Sequence, residues 1–213
     1  MLHDFTVFDF ETTGVNPRTD QVVEMAAVRF VHGQEITRFS TLVRLRPRQY
    51  YDVKAQQITG LTPAHLVHAM DEAAAFRHLR NVVRGSLLVA HNALFDLEFF
   101  DAALQRFGAP ALTESFLCTL TVCRNRRPEG PHKLTAMCDA YDVPQQTAHR
   151  ALGDVLMTAE LLHRLQRQGP LEHYVNVAGW DGRFKAPKWC PVHGKLRKQE
   201  VKPAPKSYNR AAL

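Results

Sequence analysis

The chain has 213 residues, of which 45% are hydrophobic and 23% are charged, a composition typical of soluble globular proteins. This length is enough for one well-buried domain with an appendage, or for two small domains. We expect a cytoplasmic protein without a membrane partner, because the sequence has neither a signal peptide nor a run of the ~20 apolar residues that a membrane span needs. Four cysteines without framework spacing are typical of reduced thiols.

The net charge of +6 is concentrated in the last part of the sequence. Residues 180–213 contain nine Lys or Arg and two acidic residues, whereas the rest of the chain has 18 basic and 19 acidic residues. We therefore predict a near-neutral domain over residues 1–175 and a basic extension over residues 176–213. A basic extension favours a polyanionic partner such as nucleic acid, since neutralised phosphates release their counterions. A disordered end that aids solubility is the alternative interpretation.

The first part of the domain is predicted to be an antiparallel meander of three strands. Phe5–Phe8 is a short run of strand-forming residues, and 22–31 is a longer one. A turn at 32–34 leads into a third strand at about 36–43. The polar segment 45–51 contains a proline and is predicted to be a loop.

The remainder of the domain alternates helices with short strands. Thr62-Pro63 is a helix-start signal, because a capping hydroxyl is followed by proline at the first helical position. The other predicted elements are a helix over 71–84, a strand over 86–90, a helix over 93–107, an extended segment near 116, and helices over 133–141 and 150–168. This order of elements predicts an α/β layered domain.

Two carboxylates directly follow the first strand. Side chains alternate along a strand, so Asp9 and Glu11 project from the same face. Adjacent carboxylates at the end of a core strand repel each other and are costly to desolvate unless a cation neutralises them. The pair therefore indicates a metal site. The alternative is a strand that simply leaves the core in an acidic turn.

Two further acidic residues and a histidine lie near the starts of predicted helices. Asp96 falls only roughly 30° from the centre of the apolar stripe of its helix, where an unpaired carboxylate is rarely tolerated. Stabilisation by the helix N-terminus is the alternative for Asp96. Asp154 falls about 140° from its stripe, which predicts an ordinary solvated residue. His149 precedes that helix and is expected on a loop, where a surface histidine is equally common.

Taken together, these residues form three motifs that occur in a fixed order on the predicted elements. The set resembles the DEDDh branch of the DEDD 3′–5′ exonuclease superfamily, and most resembles the proofreading epsilon subunit of bacterial DNA polymerase III and its stand-alone relatives. The resemblance covers about residues 5–165. The motifs are Asp9-Phe-Glu11, His91-Asn-Ala-Leu-Phe-Asp96 and His149-Arg-Ala-Leu-Gly-Asp154, with support from Ile58-Thr-Gly-Leu-Thr62 and His132-Lys-Leu134.

This resemblance implies a ribonuclease H-like fold, in which a mixed five-stranded sheet is flanked by helices. Three antiparallel strands come first and βα units follow. It also implies metal binding by Asp9, Glu11, Asp96 and Asp154, with His149 as the general base. Four carboxylates make a hard oxygen site, which suits two Mg²⁺ or Mn²⁺ ions rather than zinc.

The implied chemistry is phosphodiester hydrolysis. Two such ions about 4 Å apart can clamp the attacking and leaving oxygens of an in-line displacement. A histidine with an ordinary pKa of about 6.5 can take the proton of water near neutrality. Held on a loop, His149 could swing in when substrate arrives. The resemblance also implies contacts with the terminal nucleotide from five residues: Thr12, Thr13, Leu61, Asn92 and Phe95. Helix capping is an equal alternative for Asn92, and core packing for Phe95.

We therefore expect a metal-dependent 3′–5′ exonuclease that acts on the 3′ end of a nucleic acid, with DNA favoured over RNA. Single-stranded or frayed DNA is the expected substrate, and a DNA polymerase is the candidate protein partner. One alternative is an exoribonuclease that trims RNA 3′ ends, because contact with one terminal nucleotide leaves no recognisable signal for the 2′-hydroxyl. Another is a non-catalytic nucleic-acid-binding module on the same scaffold.

Overall fold

The computed structural model describes residues 2–147 and 149–177, together with the backbone of residues 190 and 191. The predicted boundary between a domain and a basic extension is not tested, because nearly all of the extension lies outside the described residues. Among the described residues, no helix is both long enough and apolar enough to cross a bilayer.

The strands form one mixed sheet in the order β3-β2-β1-β4-β5-β6-β7. The first three strands pair antiparallel, and β4 and β5 continue the sheet in parallel with β1. All five predicted strands are therefore present, and two strands of two residues each extend the β5 edge. The strands are β1 (Phe5–Thr12), β2 (Val22–Val31), β3 (Gln34–Leu42), β4 (Leu87–Ala90), β5 (Ser115–Cys118), β6 (Asn176–Val177) and β7 (Cys190–Pro191).

Six α-helices lie in the described part of the chain, and four of them agree with the predicted helices to within two residues at each end. The helices are α1 (Val53–Thr59), α2 (Glu72–Val83), α3 (Ala93–Arg106), α4 (Thr119–Arg126), α5 (Leu134–Ala140) and α6 (Ala151–Arg167). The start predicted at Thr62-Pro63 gives only a single 3₁₀ turn over Pro63–Leu66. A second 3₁₀ turn covers Glu172–Tyr174.

The sheet separates two hydrophobic cores because side chains alternate along β1. Phe8 and Phe10 enter the core that α2 and α3 cover, where they contact Phe100. Phe5 and Val7 face the opposite way, into the core that α5 and α6 cover. The same alternation places Asp9 and Glu11 on the α6 side, at the carboxyl end of the strand. The fold thereby brings the first turn of α6 towards the acidic pair.

Candidate metal centre

The start of α3 places Asp96 beside β1. Asn92 takes the N-cap position in the left-handed conformation, with φ 76°, and its side chain makes no capping hydrogen bond. Asp96 then lies in the first turn and is only 2% exposed. Its Oδ1 accepts a hydrogen bond of 3.1 Å from the backbone N–H of Phe10. Asp96 is thus held against β1 by a hydrogen bond from the residue between Asp9 and Glu11, and it has the kind of partner that a carboxylate on the apolar face of the helix needs.

The start of α6 brings a second carboxylate and a histidine to the same place. One ligand atom from each of Glu11, His149 and Asp154 lies within 4.8 Å of the others. His149 lies on the loop before α6, as predicted. Asp154 is half-buried rather than fully solvated, so the prediction from the helical pattern alone was wrong. The helical pattern gives only the angle between Asp154 and the apolar face of α6, whereas segments outside the helix cover its first turn.

Burial and mutual repulsion make the four carboxylates hard to ionise together. Burial raises the pKa of Asp9 well above its ordinary value, and the charges of Asp96 and Glu11 raise it further. Burial raises the pKa of Glu11 to about 8, with an added contribution from Asp154. Burial also raises the pKa of Asp96, against a lowering by the Phe10 N–H, and that of Asp154, against a lowering by His149.

The cluster fits a hard divalent cation. Carboxylate oxygens are the ligands that such ions prefer, and a cation would offset the burial and the repulsion that raise these pKa values. The Oδ1 of Asp154 is buried and accepts no hydrogen bond from the described residues, so its lone pairs are available to an ion. The fold therefore brings the four carboxylates predicted as ligands to one place, and the predicted base lies beside them.

Sequence reasoning missed a fifth acidic residue at the edge of this cluster. Glu24 lies opposite Glu11 in the register of β1 and β2 and is only 3% exposed. Arg150 donates to both of its oxygens, through Nε at 3.1 and 3.2 Å and through Nη2 at 2.9 Å. A signal was present, because Glu24 is the one charged residue in the apolar run 22–28 of a buried strand.

A cavity of about 540 Å³ opens beside Glu11. Thr12 and Phe95, two of the predicted substrate contacts, line this cavity. Three large apolar side chains that sequence reasoning did not select also line it and are more than half exposed: Val15, Tyr50 and Ile58. A cavity of about 670 Å³ near Leu2 holds none of the predicted site residues.

The other three predicted contacts do not line the cavity. The buried Thr13 uses its hydroxyl to accept a hydrogen bond of 3.0 Å from the Gln21 N–H. Leu61 is 6% exposed and packs in a small cluster with Val23, Tyr51 and Leu66. Asn92 occupies the N-cap position of α3, but its side chain makes no capping hydrogen bond there. Phe95 packs partly against the main core as well as lining the cavity.

Comparison with known proteins supports the same interpretation. A family described as exonuclease (RNase_T) matches residues 6–162. The PolC-type DNA polymerase III of Bacillus cereus is 32% identical over 162 residues, which are 76% of this chain and 11% of that protein. The chain thus spans about a tenth of the length of the curated relatives it matches.

Two solved structures show the shared fold. Escherichia coli exonuclease I in complex with a dT13 oligonucleotide has a TM-score of 0.70 at 22% identity, over 78% of this chain and 41% of that one. Exonuclease X in complex with 5′ overhanging duplex DNA has a TM-score of 0.60 at 27% identity, over 77% of this chain and 92% of that one. These likenesses confirm the predicted ribonuclease H-like α/β fold.

Proposed function

Since the chain belongs to the DEDDh-type 3′–5′ exonuclease superfamily, we propose that it removes nucleoside 5′-monophosphates from nucleic-acid 3′ ends in a metal-dependent reaction. The observation that carries the proposal is the convergence of Glu11, His149 and Asp154 within 4.8 Å, beside Asp9 and Asp96. These residues come from three distant parts of the sequence. A module that only bound nucleic acid would gain nothing from burying mutually repelling carboxylates.

In this proposal Asp9, Glu11, Asp96 and Asp154 hold the divalent cations on which the family depends, which we assign as two Mg²⁺ or Mn²⁺ ions. When bound, these ions supply positive charge to the reacting phosphate and lower the pKa of water. The protein's part is to hold the carboxylates in place. Asp96 does so through the hydrogen bond from Phe10, and Asp9 and Glu11 through the pairing of β1 with β2.

We assign His149 as the general base. Its imidazole lies within 4.8 Å of carboxylate oxygens of Glu11 and Asp154, so a proton accepted there would be stabilised by nearby negative charge. A neutral imidazole can accept that proton from water.

The cavity beside Glu11 is the proposed site of the terminal nucleotide. Its apolar wall of Val15, Tyr50, Ile58 and Phe95 provides surface against which a base can pack, and aromatic stacking of this kind is tolerant of base identity. Because Glu11 lines one edge of the cavity, a nucleotide bound there would have its scissile phosphate next to the carboxylates. The expected substrates are single strands or frayed duplex ends, because the terminal base must be unpaired to enter the cavity.

We propose DNA as the substrate, because exonuclease I and exonuclease X were both solved with DNA and the PolC-type relative is a DNA polymerase. The decisive experiment incubates the protein and Mg²⁺ with matched single-stranded DNA, duplex DNA with a mismatched end, and RNA. A 3′ label should be released as a 5′-monophosphate while a 5′ label remains in long products. Faster release from RNA would assign an exoribonuclease, and no release from any substrate would contradict catalysis.

A DNA polymerase is the protein partner that we propose, because the chain is 32% identical to part of a PolC-type polymerase. Co-elution of the purified chain with a bacterial replicative polymerase in gel filtration would support this partner. Separate elution at micromolar concentration of both proteins would reject it.

A further inference from the structure

The loop that carries His149 is held on both sides by contacts that the proposed chemistry does not use. On its carboxyl side, the guanidinium of Arg150 donates hydrogen bonds to both oxygens of Glu24, and the N–H of Ala151 donates to Glu24 Oε2 at 3.3 Å. Glu24 belongs to β2, which β1 and β3 flank in the sheet. The start of α6 is therefore tied to the rigid sheet rather than to another loop.

On the amino side, the loop packs directly on the first turn of α6. A Cβ placed at Gly153 would collide with the carbonyl oxygen of Thr147 and would touch Gln146 Cβ at 3.5 Å. Only glycine leaves room for this contact. His149 itself has φ 59°, a left-handed conformation that is costly for a residue with a side chain and persists only where the surroundings enforce it.

The oxygens of Glu24 are committed to these donors. Oε1 accepts from Nε and Nη2 of Arg150, and Oε2 accepts from Nε and from the Ala151 N–H. This arrangement argues against Glu24 as a further ligand for a cation. The charge of Glu24 also raises the pKa values of Asp9 and Glu11, so Glu24 makes the cluster harder to ionise. A structural role for Glu24 would explain why it lies there.

We propose that Glu24 and Arg150 are positioning residues for His149, and that they preset its imidazole beside Glu11 and Asp154 before substrate arrives. This inference rests on the proposed role of His149 as the general base. It replaces the expectation that His149 swings in on a free loop. Gly153 is the second support, since it lets the segment before His149 close against α6.

The central test compares Arg150→Met in two backgrounds. In the otherwise unchanged protein, kcat on single-stranded DNA should fall about 10- to 100-fold, the usual effect of losing a group that orients a catalytic one, with KM nearly unchanged. In a His149→Ala background the same substitution should change kcat by less than about twofold, since residues that act through one group are not additive. An equal loss in both backgrounds would overturn the proposal.

Matched variants guard against a merely structural effect. Arg38 makes a similar two-point contact with Glu35 on exposed β3, so Arg38→Met should leave kcat unchanged.

Glu24→Gln combined with Arg150→Met leaves no unpaired buried charge, and should fold and show the same loss as Arg150→Met alone. Gly153→Ala should lower kcat without lowering Mn²⁺ affinity. Wild-type kcat in both Arg150→Met and Gly153→Ala would refute the inference.

A measurement independent of turnover separates this inference from the proposed function. Crystal structures of the protein and of Arg150→Met should show the imidazole near Glu11 and Asp154 in the first and displaced in the second. An imidazole that stays in place in Arg150→Met would overturn the positioning role whatever the activity. Wild-type turnover in His149→Ala would instead overturn the assignment of the base.

Discussion

At the scale of single residues, burial and mutual repulsion both oppose ionisation of the carboxyl groups in the candidate site. Asp9, Glu11, Asp96 and Asp154 all have raised pKa values, and burial is the largest cause for each of them. A protein without a bound cation pays for holding these groups together. The carboxylates that serve the proposed function are therefore expected to destabilise the metal-free fold, which is a common trade-off at functional sites.

Asp9→Asn tests directly whether these carboxyl groups destabilise the metal-free fold. The amide keeps the shape of the side chain but cannot ionise, so it removes the cost of burying this carboxyl beside its neighbours, and the metal-free variant should melt at a higher temperature than the original protein. Nuclease activity should fall by more than about 100-fold, because residues that only hydrogen-bond to metal ligands already contribute about 10- to 100-fold. Calorimetry without metal measures the first effect, and a nuclease assay with Mn²⁺ measures the second. A variant that melts lower without metal would contradict the repulsion.

His149→Ala should lower the rate by about 10²- to 10⁴-fold at pH 7, the usual contribution of a general base. Because the carboxylates remain, Mn²⁺ affinity measured by isothermal titration should be nearly unchanged. A large loss of Mn²⁺ affinity would instead make His149 a ligand. His32, which is exposed on the turn between β2 and β3, offers a matched control in His32→Ala.

At the scale of elements, the sequence predicted the strands well because their signals are local. Apolar runs such as Phe5–Phe8 need only the alternation of side chains to be recognised. Helix α1 was missed because its signal is a cap rather than a stripe: Asp52 Oδ1 accepts from the N–H groups of Lys54 and Ala55. Helix α4 was missed because it follows β5 directly, with no side-chain hydrogen bond at its cap.

The site residues likewise differ in whether their signal is local. Asp96 was found because its carboxylate lies on the apolar face of α3, which is a property of one helix. The burial of Asp154 and the contact between Arg150 and Glu24 depend on how α6 docks on the sheet. Residues 24 and 150 are far apart in sequence, so no periodicity links them. Only an assembled fold reveals such pairs.

Phe100→Ala probes how α3 supports the site. Phe100 is fully buried and its ring lies 5.4 to 6.3 Å from those of Phe76, Phe10 and Phe8. Removing it should lower the free energy of unfolding by about 3–5 kcal/mol, measured by urea denaturation. Phe107, which is 40% exposed at the end of the same helix, gives the control, and Phe107→Ala should cost far less. Equal losses would mean that α3 does not depend on this core.

At the scale of the whole molecule, the sheet acts as the frame that brings distant segments to one edge. Its two faces carry separate cores, so α3 and α6 are fixed independently of each other. Both helices begin near the carboxyl end of β1, where their first turns deliver Asp96 and Asp154. The arrival of Asp96 and Asp154 beside the acidic pair of β1 therefore follows from the topology of the sheet and its helices.

The stability of the metal-free protein should depend on pH in a definite direction. Glu11 has a pKa raised from 4.5 to about 8, so the folded state binds its proton more tightly than the unfolded state does. The stabilisation from that proton is complete below about pH 4.5 and is lost as the pH rises to about 8. Melting temperatures in chelator should fall across this window, whereas saturating Mn²⁺ should reduce the fall. A rise in melting temperature across the window would contradict the pKa assignment.

The most direct measurement is anomalous diffraction from crystals soaked in Mn²⁺. Two anomalous peaks are expected among the carboxylates of Asp9, Glu11, Asp96 and Asp154, and both should be lost in Asp9→Asn. Crystals that bind no Mn²⁺ at this cluster, from protein that degrades DNA fully in the presence of chelator, would contradict it.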